Sequence, residues 1–341
     1  MEIVSIIIPV YNCKDYLEDC LTHVIKQTYE WIEVILIDDG SMDSSGRICD
    51  DYARGDNRIT VYHRKNEGVS ASRNYGLEHS SGKYILFVDA DDVMETDMVE
   101  KCIHLAECNQ AELVICSFKY HIIKDNRIVE NSLGSDFLGT KEELFGQWFN
   151  ILVEKEILNP PWNKFIRKDL LDNNHIRFNK QFSICEDMAF SIQVLDASRK
   201  TVLTKNMLYN YYLKSSGTLV FKFHENFIEA LSYFYENAYG YCKKYKNNDR
   251  QLKTIHTLYL NRIFMFINQI CTISCWDKEK MDKTMKKIVQ SKQFLTAYRS
   301  VRLKGKKKII GTILKNEQFW LIHILYSFKT KALKISGGRL L

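Results

Sequence analysis

Residues 84–92 read Tyr-Ile-Leu-Phe-Val-Asp-Ala-Asp-Asp, an apolar run that ends in three carboxylates. The run predicts a buried strand over Tyr84 to Val88, and ligands of parallel sheets bind at the carboxyl ends of strands. Asp89 and Asp91 are separated by one residue, and their carboxylates would repel each other unless a cation lies between them. Carboxylate oxygens favour Mg²⁺ or Mn²⁺, ions that usually keep coordination positions open for phosphate oxygens. The stretch therefore predicts a nucleotide held through a metal ion.

On both sides of this stretch, short apolar runs alternate with helical patterns. This alternation is typical of βαβ units, and it predicts an α/β protein with a Rossmann-like, mostly parallel central sheet of at least five strands. Strands are expected over 3–9, 34–38, 59–63, 84–88 and 113–118, followed by a hairpin over 120–129. Helices are expected between the first two strands and over 44–54, 69–79 and 95–108.

The second predicted strand also ends in carboxylates, in Asp38-Asp39-Gly40-Ser41. The first runs into the turn Pro9-Val10-Tyr11-Asn12, which contains no glycine. The phosphate-cradling fingerprint of dinucleotide-binding proteins is therefore absent. An aspartate after a strand also begins turns and caps helices, and this alternative stays open for Asp38 and Asp92.

Beyond about residue 222 the strand patterns stop and helical patterns take over. Four helical segments are predicted, over 223–246, 250–275, 277–299 and 306–335. The chain thus divides into a predicted catalytic domain over 1–220 and a basic helical C-terminal region over 221–341.

Charge is distributed unevenly between the two ends of the chain. Residues 1–198 contain 20 Lys and Arg and 34 Asp and Glu, a net charge of −14, whereas residues 199–341 contain 28 and 8, a net charge of +20. Such an imbalance suggests that the C-terminal part meets an anionic surface, either nucleic acid or the head groups of a cytoplasmic leaflet.

Several classes of protein are excluded by composition. The hydrophobic fraction of 45% and the charged fraction of 26% are those of a globular chain. No run approaches the roughly 20 apolar residues that span a bilayer, and the N-terminus lacks the pattern of an export signal. Ten cysteines show no paired metal-ligand spacing, which predicts reduced thiols in a cytosol.

Four segments in order resemble the inverting glycosyltransferases of family 2, the bacterial GT-A type that builds polysaccharides. The resemblance covers about the first 215 residues. The segments are 4–12 (VSIIIPVYN), 33–41 (EVILIDDGS), 66–74 (NEGVSASRN) and 82–92 (GKYILFVDADD).

The resemblance implies roles for the nucleotide-binding residues. Pro9 and Tyr11 would border the base, Asp39 would accept the hydrogen bond from N3 of uracil, and a thymine base would satisfy the same contact. Arg73 would contact the base or a phosphate, with a surface helix arginine as the alternative.

The Asp-x-Asp motif of the family falls on Asp89, Ala90 and Asp91. Asp91 would be the direct ligand of Mn²⁺ or Mg²⁺. Asp89 would lie nearer the ribose or a metal-bound water, and Ala90 belongs to the same donor-binding stretch.

The attacking hydroxyl must also lose a proton to a base. Residues 183–190 (SICEDMAF) resemble the Glu-Asp motif of the family, which makes Asp187 the expected base and Glu186 the next candidate. A helix N-terminus whose acids complement the dipole is the alternative. Residues 160–167 (PPWNKFIR) resemble the segment before that base, so Lys164 could meet the diphosphate and Trp162 the acceptor sugar, unless Trp162 is a core residue.

The expected activity is metal-dependent transfer of a sugar from a UDP-sugar to a hydroxyl of a glycan, with inversion, in capsule, exopolysaccharide or O-antigen synthesis. A sugar nucleotidyltransferase would also couple carboxylates to a nucleotide and metal, but the phosphate loop it normally carries is not found in Pro9 to Asp15. A non-catalytic nucleic-acid-binding protein would explain the basic end, but that end carries long apolar helical faces and no binding module.

The basic end suggests where the protein works. Four lysines, Lys304 and Lys306 to Lys308, precede an aromatic-rich helical segment that is too short to span a bilayer. This pattern is typical of an interfacial anchor, and it predicts a cytoplasmic protein held peripherally on the inner face of the membrane, near a lipid-linked acceptor. Packing of that helix within the protein or in a homo-oligomer is the alternative. The apolar residues concerned are Phe319, Trp320, Leu321, Ile322, Ile324, Leu325, Tyr326 and Phe328.

Overall fold

The computed structural model describes residues 2–214, 223–272 and 276–335, with side chains described as far as residue 327. Its internal contacts divide the chain into two compact units, Met1–Phe221 and Lys222–Leu341. Residues 273–275 of one predicted helix and the side chain of Phe328 lie outside the described part.

The first unit is built on one sheet of ten strands. They are β1 Val4–Val10, β2 Ile32–Asp38, β3 Ile59–His63, β4 Tyr84–Phe87, β5 Val93–Met94, β6 Leu113–Ile122, β7 Arg127–Asn131, β8 Phe137–Thr140, β9 Lys164–Arg167 and β10 Lys200–Leu213. The order across the sheet is β3-β2-β1-β4-β9-β6-β10-β5, with β7 paired to β6 and β8 paired to β10.

Six of these strands (β3, β2, β1, β4, β6 and β10) run in one direction, so the expectation of a mostly parallel sheet is confirmed. β9 lies antiparallel between β4 and β6. The register pairs Val10 with Asp38 and Asp38 with His63, which brings the carboxyl ends of β1, β2 and β3 to one edge. The five strands and the hairpin expected from the sequence are all present, within a few residues at their ends.

Eight helices accompany this sheet. They are α1 Lys14–Ile25, α2 Ser45–Gly55, α3 Val69–His79, α4 Met98–Asn109, α5 Lys141–Gln147, α6 Phe149–Glu154, α7 Lys168–Asn173 and α8 Glu186–Ala197. α3 packs on β1 and β2, and its closest approach falls at Gly76. A Cβ there would lie 2.3 Å from Cγ2 of Ile7, so only glycine allows this helix to approach β1.

The centre of the sheet is covered on both faces. Every residue of β4 is buried, and in β1 only Pro9 is even partly exposed. This two-sided burial explains why these strands read as continuous apolar runs rather than as alternating ones.

The second unit consists of helices throughout its described residues. They are α9 Phe227–Lys243, α10 Asp249–Thr272, α11 Lys278–Gln290, α12 Lys292–Ser300, α13 Gly305–Lys315 and α14 Phe319–Ile335. The predicted segment 277–299 is divided at Ser291, whose hydroxyl accepts a hydrogen bond from the Phe294 N–H and starts α12. In the part of the chain that is described, no helix combines the length and the apolar character needed to cross a membrane.

The aromatic helix α14 has two different faces. Phe319, Ile322 and Tyr326 are buried, so the packing interpretation holds for that face. Trp320 is 61% exposed, and Ile324 and Leu325 are also exposed.

Candidate active site

The two adjacent aspartates at the end of β2, Asp38 and Asp39, have different hydrogen-bond partners. The buried carboxylate of Asp39 accepts hydrogen bonds from the backbone N–H groups of Glu67 (3.0 Å) and Gly68 (2.8 Å). Gly68 has a φ of +90°, which favours glycine. Asp39 therefore fixes the loop that leads into α3.

The neighbouring Asp38 has the structural role that the sequence left open. It accepts from the backbone N–H of Ser41 and lies 2.8 Å from Nδ1 of His63. The hydrogen bonds of His63 with Asp38 and Asp50 raise the pKa of the imidazole. Tyr11, beyond the end of β1, is exposed and Pro9 is partly exposed beside this edge.

Arg73 lies on α3 at the centre of the carboxylate cluster and is only 3% exposed. Its Nη1 donates to Oδ1 of Asp187 at 2.6 Å, and its Nη2 donates to Oδ1 of Asp89 at 2.9 Å. Glu186 lies 4.0 Å away, and the guanidinium stands over the ring of Phe178. The alternative of a surface helix arginine is therefore wrong. The Nη groups face carboxylates, and the expected contact with a base or a phosphate stays a prediction.

The charges around Arg73 decide its ionisation. Burial opposes a positive charge, but the carboxylates of Asp187, Asp89 and Glu186 outweigh burial and raise the pKa of Arg73 above its ordinary value. Burial raises the pKa of Asp89, against the influence of Arg73, and Asp91 raises it further. The guanidinium is thus a permanent cation that joins the Asp-x-Asp motif to the candidate base.

The Glu-Asp motif forms the first turn of α8. This position also suits the alternative interpretation, in which the two acids complement the helix dipole. Cys185, just before the helix, has a φ of +62°, and Asp187 keeps about a third of its side chain exposed. Glu186 is buried, and burial together with Asp187 raises its pKa to about 8, although Arg73 acts in the opposite direction. Near neutral pH Glu186 is therefore mostly protonated, which leaves Asp187 as the better proton acceptor.

Asp91 and Asp92 differ in their partners. Oδ2 of Asp91 accepts from Nζ of Lys214 at 2.8 Å, and the side chain of Asp91 is 41% exposed. Asp92 is fully buried and accepts from Oη of Tyr209 (3.1 Å) and the backbone N–H of Tyr212 (2.9 Å). Asp92 therefore anchors β10 to the end of β4, in agreement with its structural alternative.

The carboxylates suit one type of metal site and not another. Within the described residues, no group of three or more His, Cys, Asp or Glu side chains could hold a metal ion. A protein-only cage is therefore absent from that part of the chain. Asp91, with Asp89 two residues before it, fits a Mg²⁺-like ion that takes one or two carboxylates and completes its shell with phosphate oxygens and water.

Lys164 does not reach the position expected for it. Its ammonium is fully buried and donates to the carbonyl oxygens of Leu158 (2.9 Å) and Pro160 (2.5 Å) and to Oδ1 of Asn163 (2.9 Å). Burial lowers its pKa to about 7, although Asp187 acts in the opposite direction. In this structure the ammonium therefore holds together the loop before β9, and the expected contact with a diphosphate stays a prediction.

Trp162 is a core residue and does not offer a face to a sugar. It is buried, stacks on Tyr209 and Tyr211 at 4.2 Å and 5.6 Å between ring centroids, and meets Phe118 edge-on at 4.7 Å. These aromatic contacts enclose the indole in the core, so the packing alternative is correct.

Sequence reasoning missed Lys214, and no signal in the sequence could have found it. It is one lysine after a long strand, and only the pairing of β10 with β5 and β6 brings it to Asp91.

The Asp-x-Asp carboxylates at the end of β4 and the acidic start of α8 are joined through Arg73 in an α/β fold, an arrangement that agrees with a glycosyltransferase. The chain belongs to glycosyltransferase family 2, since the family model "Glycosyl transferase family 2" matches residues 5–183. The resemblance inferred from the four sequence segments is confirmed.

Relatives and solved structures agree with this assignment. The chain is 27% identical to the putative glycosyltransferase EpsH of Bacillus subtilis over 275 residues, 80% of this chain and 77% of EpsH. It is 34% identical to the minor teichoic acid biosynthesis protein GgaB of the same organism over 221 residues, 63% of this chain and 23% of GgaB. The crystal structure of S. aureus TarS in complex with UDP-GlcNAc matches with a TM-score of 0.69 at 16% identity, covering 100% of this chain and 93% of that one. That likeness confirms the GT-A fold.

Proposed function

We propose that this enzyme transfers a sugar from a UDP-sugar to a hydroxyl of a glycan and inverts the anomeric configuration. The observation that carries the proposal is the bridge formed by Arg73, which holds the candidate base Asp187 and the motif residue Asp89 by one guanidinium. A donor bound at the motif would then lie beside the base. The complex of TarS with UDP-GlcNAc supports a UDP-sugar as the donor.

The proposed step is a single displacement. The acceptor hydroxyl forms a bond to the anomeric carbon, the bond from that carbon to the diphosphate oxygen breaks, and the hydroxyl proton passes to Asp187. Because Oδ1 of Asp187 is bound by Arg73, the carboxylate is oriented with its second oxygen available to the acceptor. One displacement inverts the configuration, so no covalent nucleophile is required.

Asp91, assisted by Asp89, would hold Mn²⁺ or Mg²⁺, which when bound neutralises charge on the departing UDP. The residues of the chain bind the rest of the donor. Asp39 would accept from N3 of uracil in addition to its contacts with the Glu67 and Gly68 N–H groups, and Pro9 and Tyr11 would border the base.

The proposed acceptor is a cell-surface glycan or its lipid-linked precursor, as in capsule, exopolysaccharide or O-antigen synthesis. The relationship to GgaB, named for minor teichoic acid biosynthesis, adds polymers of that class to the candidates.

We also propose that the second unit binds the anionic inner face of the cell membrane. Residues 301–341 contain ten Lys and Arg and one acidic residue, Glu317. Lys304, Lys306, Lys307 and Lys308 are exposed. Trp320 and its exposed neighbours on α14 would enter the interface, and lysines near such a surface contribute about 1 kcal/mol each.

The experiment that tests the activity is a panel of nucleotide-sugars incubated with acceptor glycans and Mn²⁺, with the released nucleotide identified. We expect free UDP that depends on the acceptor. Release of pyrophosphate would instead indicate a nucleotidyltransferase, and salt-sensitive nucleic-acid binding without turnover would contradict the proposal.

A further inference from the structure

The three aspartates after β4 have three different kinds of partner. Asp89 pairs with the buried Arg73, and Asp92 is held by the neutral donors of Tyr209 and Tyr212. Asp91 pairs with Lys214, whose Nζ lies 2.8 Å from Oδ2 and 3.4 Å from the backbone oxygen of Asp91. The carboxylate expected to bind the metal therefore already has a cation of the protein beside it.

The contact of Lys214 is built by the fold. Its ammonium stands 3.3 Å from the ring centroid of Tyr16, a cation–π contact that adds to the ion pair. Its side chain is only 13% exposed. Two residues earlier, the bond between the Tyr212 N–H and Asp92 fixes the end of β10. The ammonium is thus positioned from its own strand and from α1.

We propose that Lys214 is an internal counterion of Asp91 that competes with the divalent cation and thereby sets the metal concentration that the enzyme requires. The inference rests on the proposed donor site. A divalent cation at Oδ2 of Asp91 would meet the ammonium of Lys214 at contact distance, and one at Oδ1 would still lie close enough for the two positive charges to repel each other. Lys214 therefore opposes metal binding, and its departure from the carboxylate relieves that repulsion.

Replacing a residue that binds the metal lowers the metal affinity. If Lys214 competes with the metal, replacing it should instead raise that affinity. Removing Lys214 leaves Asp91 without its counterion, so metal affinity should increase. Lys214→Gln is expected to bind Mn²⁺ about 1.5- to 5-fold more tightly, the range expected for removal of a partly exposed ion pair. Lys214→Arg keeps the charge and should bind Mn²⁺ close to wild type or more weakly.

The test is Mn²⁺ binding to the full-length protein at a fixed concentration of UDP, which supplies the phosphate oxygens of the metal shell. Binding is followed by the electron paramagnetic resonance signal of free Mn²⁺ and corrected for the same UDP solution without protein. Lys119→Gln is the matched control, since Lys119 pairs with Glu95 at 3.3 Å and its loss changes the net charge equally. Asp91→Asn reports whether Asp91 binds the metal at all.

The outcomes separate this inference from the proposed function. Tighter binding in Lys214→Gln, with Lys119→Gln unchanged, supports the competition. Equal or weaker binding in Lys214→Gln overturns it, and if Asp91→Asn nevertheless loses Mn²⁺, the metal site of the proposed function stands. Equal Mn²⁺ affinity of wild type and Asp91→Asn contradicts both proposals. An equal increase of Mn²⁺ affinity in both lysine variants would show that net charge causes the effect, and it would overturn the competition.

Discussion

Arg73 carries the charge balance of the catalytic cluster. Its guanidinium is buried between Asp89 and Asp187, and removing one member of a buried ion pair leaves uncompensated charge in a poorly solvated site. We expect Arg73→Met to lower the free energy of unfolding by about 3 to 5 kcal/mol, measured by urea unfolding. The control is Arg54→Met, because Arg54 and its partner Asp51 are both exposed and should contribute less than about 1 kcal/mol. Equal losses in the two variants would contradict the role of Arg73.

Glu186 makes stability depend on pH. Its pKa in the fold is about 8, above the ordinary value of 4.5, so the folded protein binds one more proton than the unfolded chain between these values. Its contribution is complete below about pH 4.5 and is lost as the pH rises towards 8, by up to about 1.4 kcal/mol per pH unit.

The prediction is that wild-type stability falls relative to Glu186→Gln as the pH rises from 5 to 7, in paired urea titrations. Other titrating groups are common to both proteins, so the difference isolates Glu186. Parallel stability curves over this range would show that Glu186 titrates normally.

The loop before β9 depends on one buried lysine. Lys164→Met would leave the carbonyl oxygens of Leu158 and Pro160 without their donor, at a cost of about 1 to 3 kcal/mol for each buried group. We expect the amides of residues 157–159, 162 and 163 to exchange hydrogen faster in this variant, while α4 is unchanged. Lys168→Met is the control, because Lys168 pairs with Asp172 at the start of α7, where both side chains are partly exposed. Unchanged exchange in Lys164→Met would contradict the structural role.

The strands that could be predicted from the sequence are those whose burial shows in their own residues. The strands that could not be predicted depend on pairing with distant parts of the chain. β1, β2 and β4 are apolar because both faces are covered, and that burial is visible in the composition of each strand alone. β9 has only four residues and lies antiparallel between two strands distant in sequence, so its pairing has no local signal.

The site shows the same distinction. The family motifs predicted Asp89, Asp91 and Asp187 as site residues, but the contact of Arg73 with Asp187 joins residues 114 positions apart and follows from packing alone. Lys164 is buried by the loop before β9 and Trp162 by the tyrosines of β10, and such burial cannot be seen in a motif.

The first unit of the molecule is rich in carboxylates, whereas the second, helical unit is basic. We expect the full-length protein to co-sediment with vesicles that contain phosphatidylglycerol and not with phosphatidylcholine alone, and binding should weaken with salt. Replacing Lys304, Lys306, Lys307 and Lys308 by Gln, or Trp320 by Ala, should reduce binding.

Trp31→Ala is the matched control for Trp320→Ala, since Trp31 is 50% exposed on the catalytic unit. A protein that ignores anionic vesicles, or that loses binding equally in both tryptophan variants, would contradict the membrane proposal.

Asp187→Asn tests whether Asp187 removes the acceptor proton during sugar transfer. Asparagine keeps the size of the side chain and can still accept from Arg73, but it cannot take up the proton. Calorimetry should find UDP-sugar affinity unchanged, while transfer to the acceptor falls by about 10²- to 10⁴-fold. Asp125→Asn, in the exposed β6–β7 turn, should change neither quantity. Transfer by Asp187→Asn at a rate near wild type would contradict the account and direct the search for the base elsewhere.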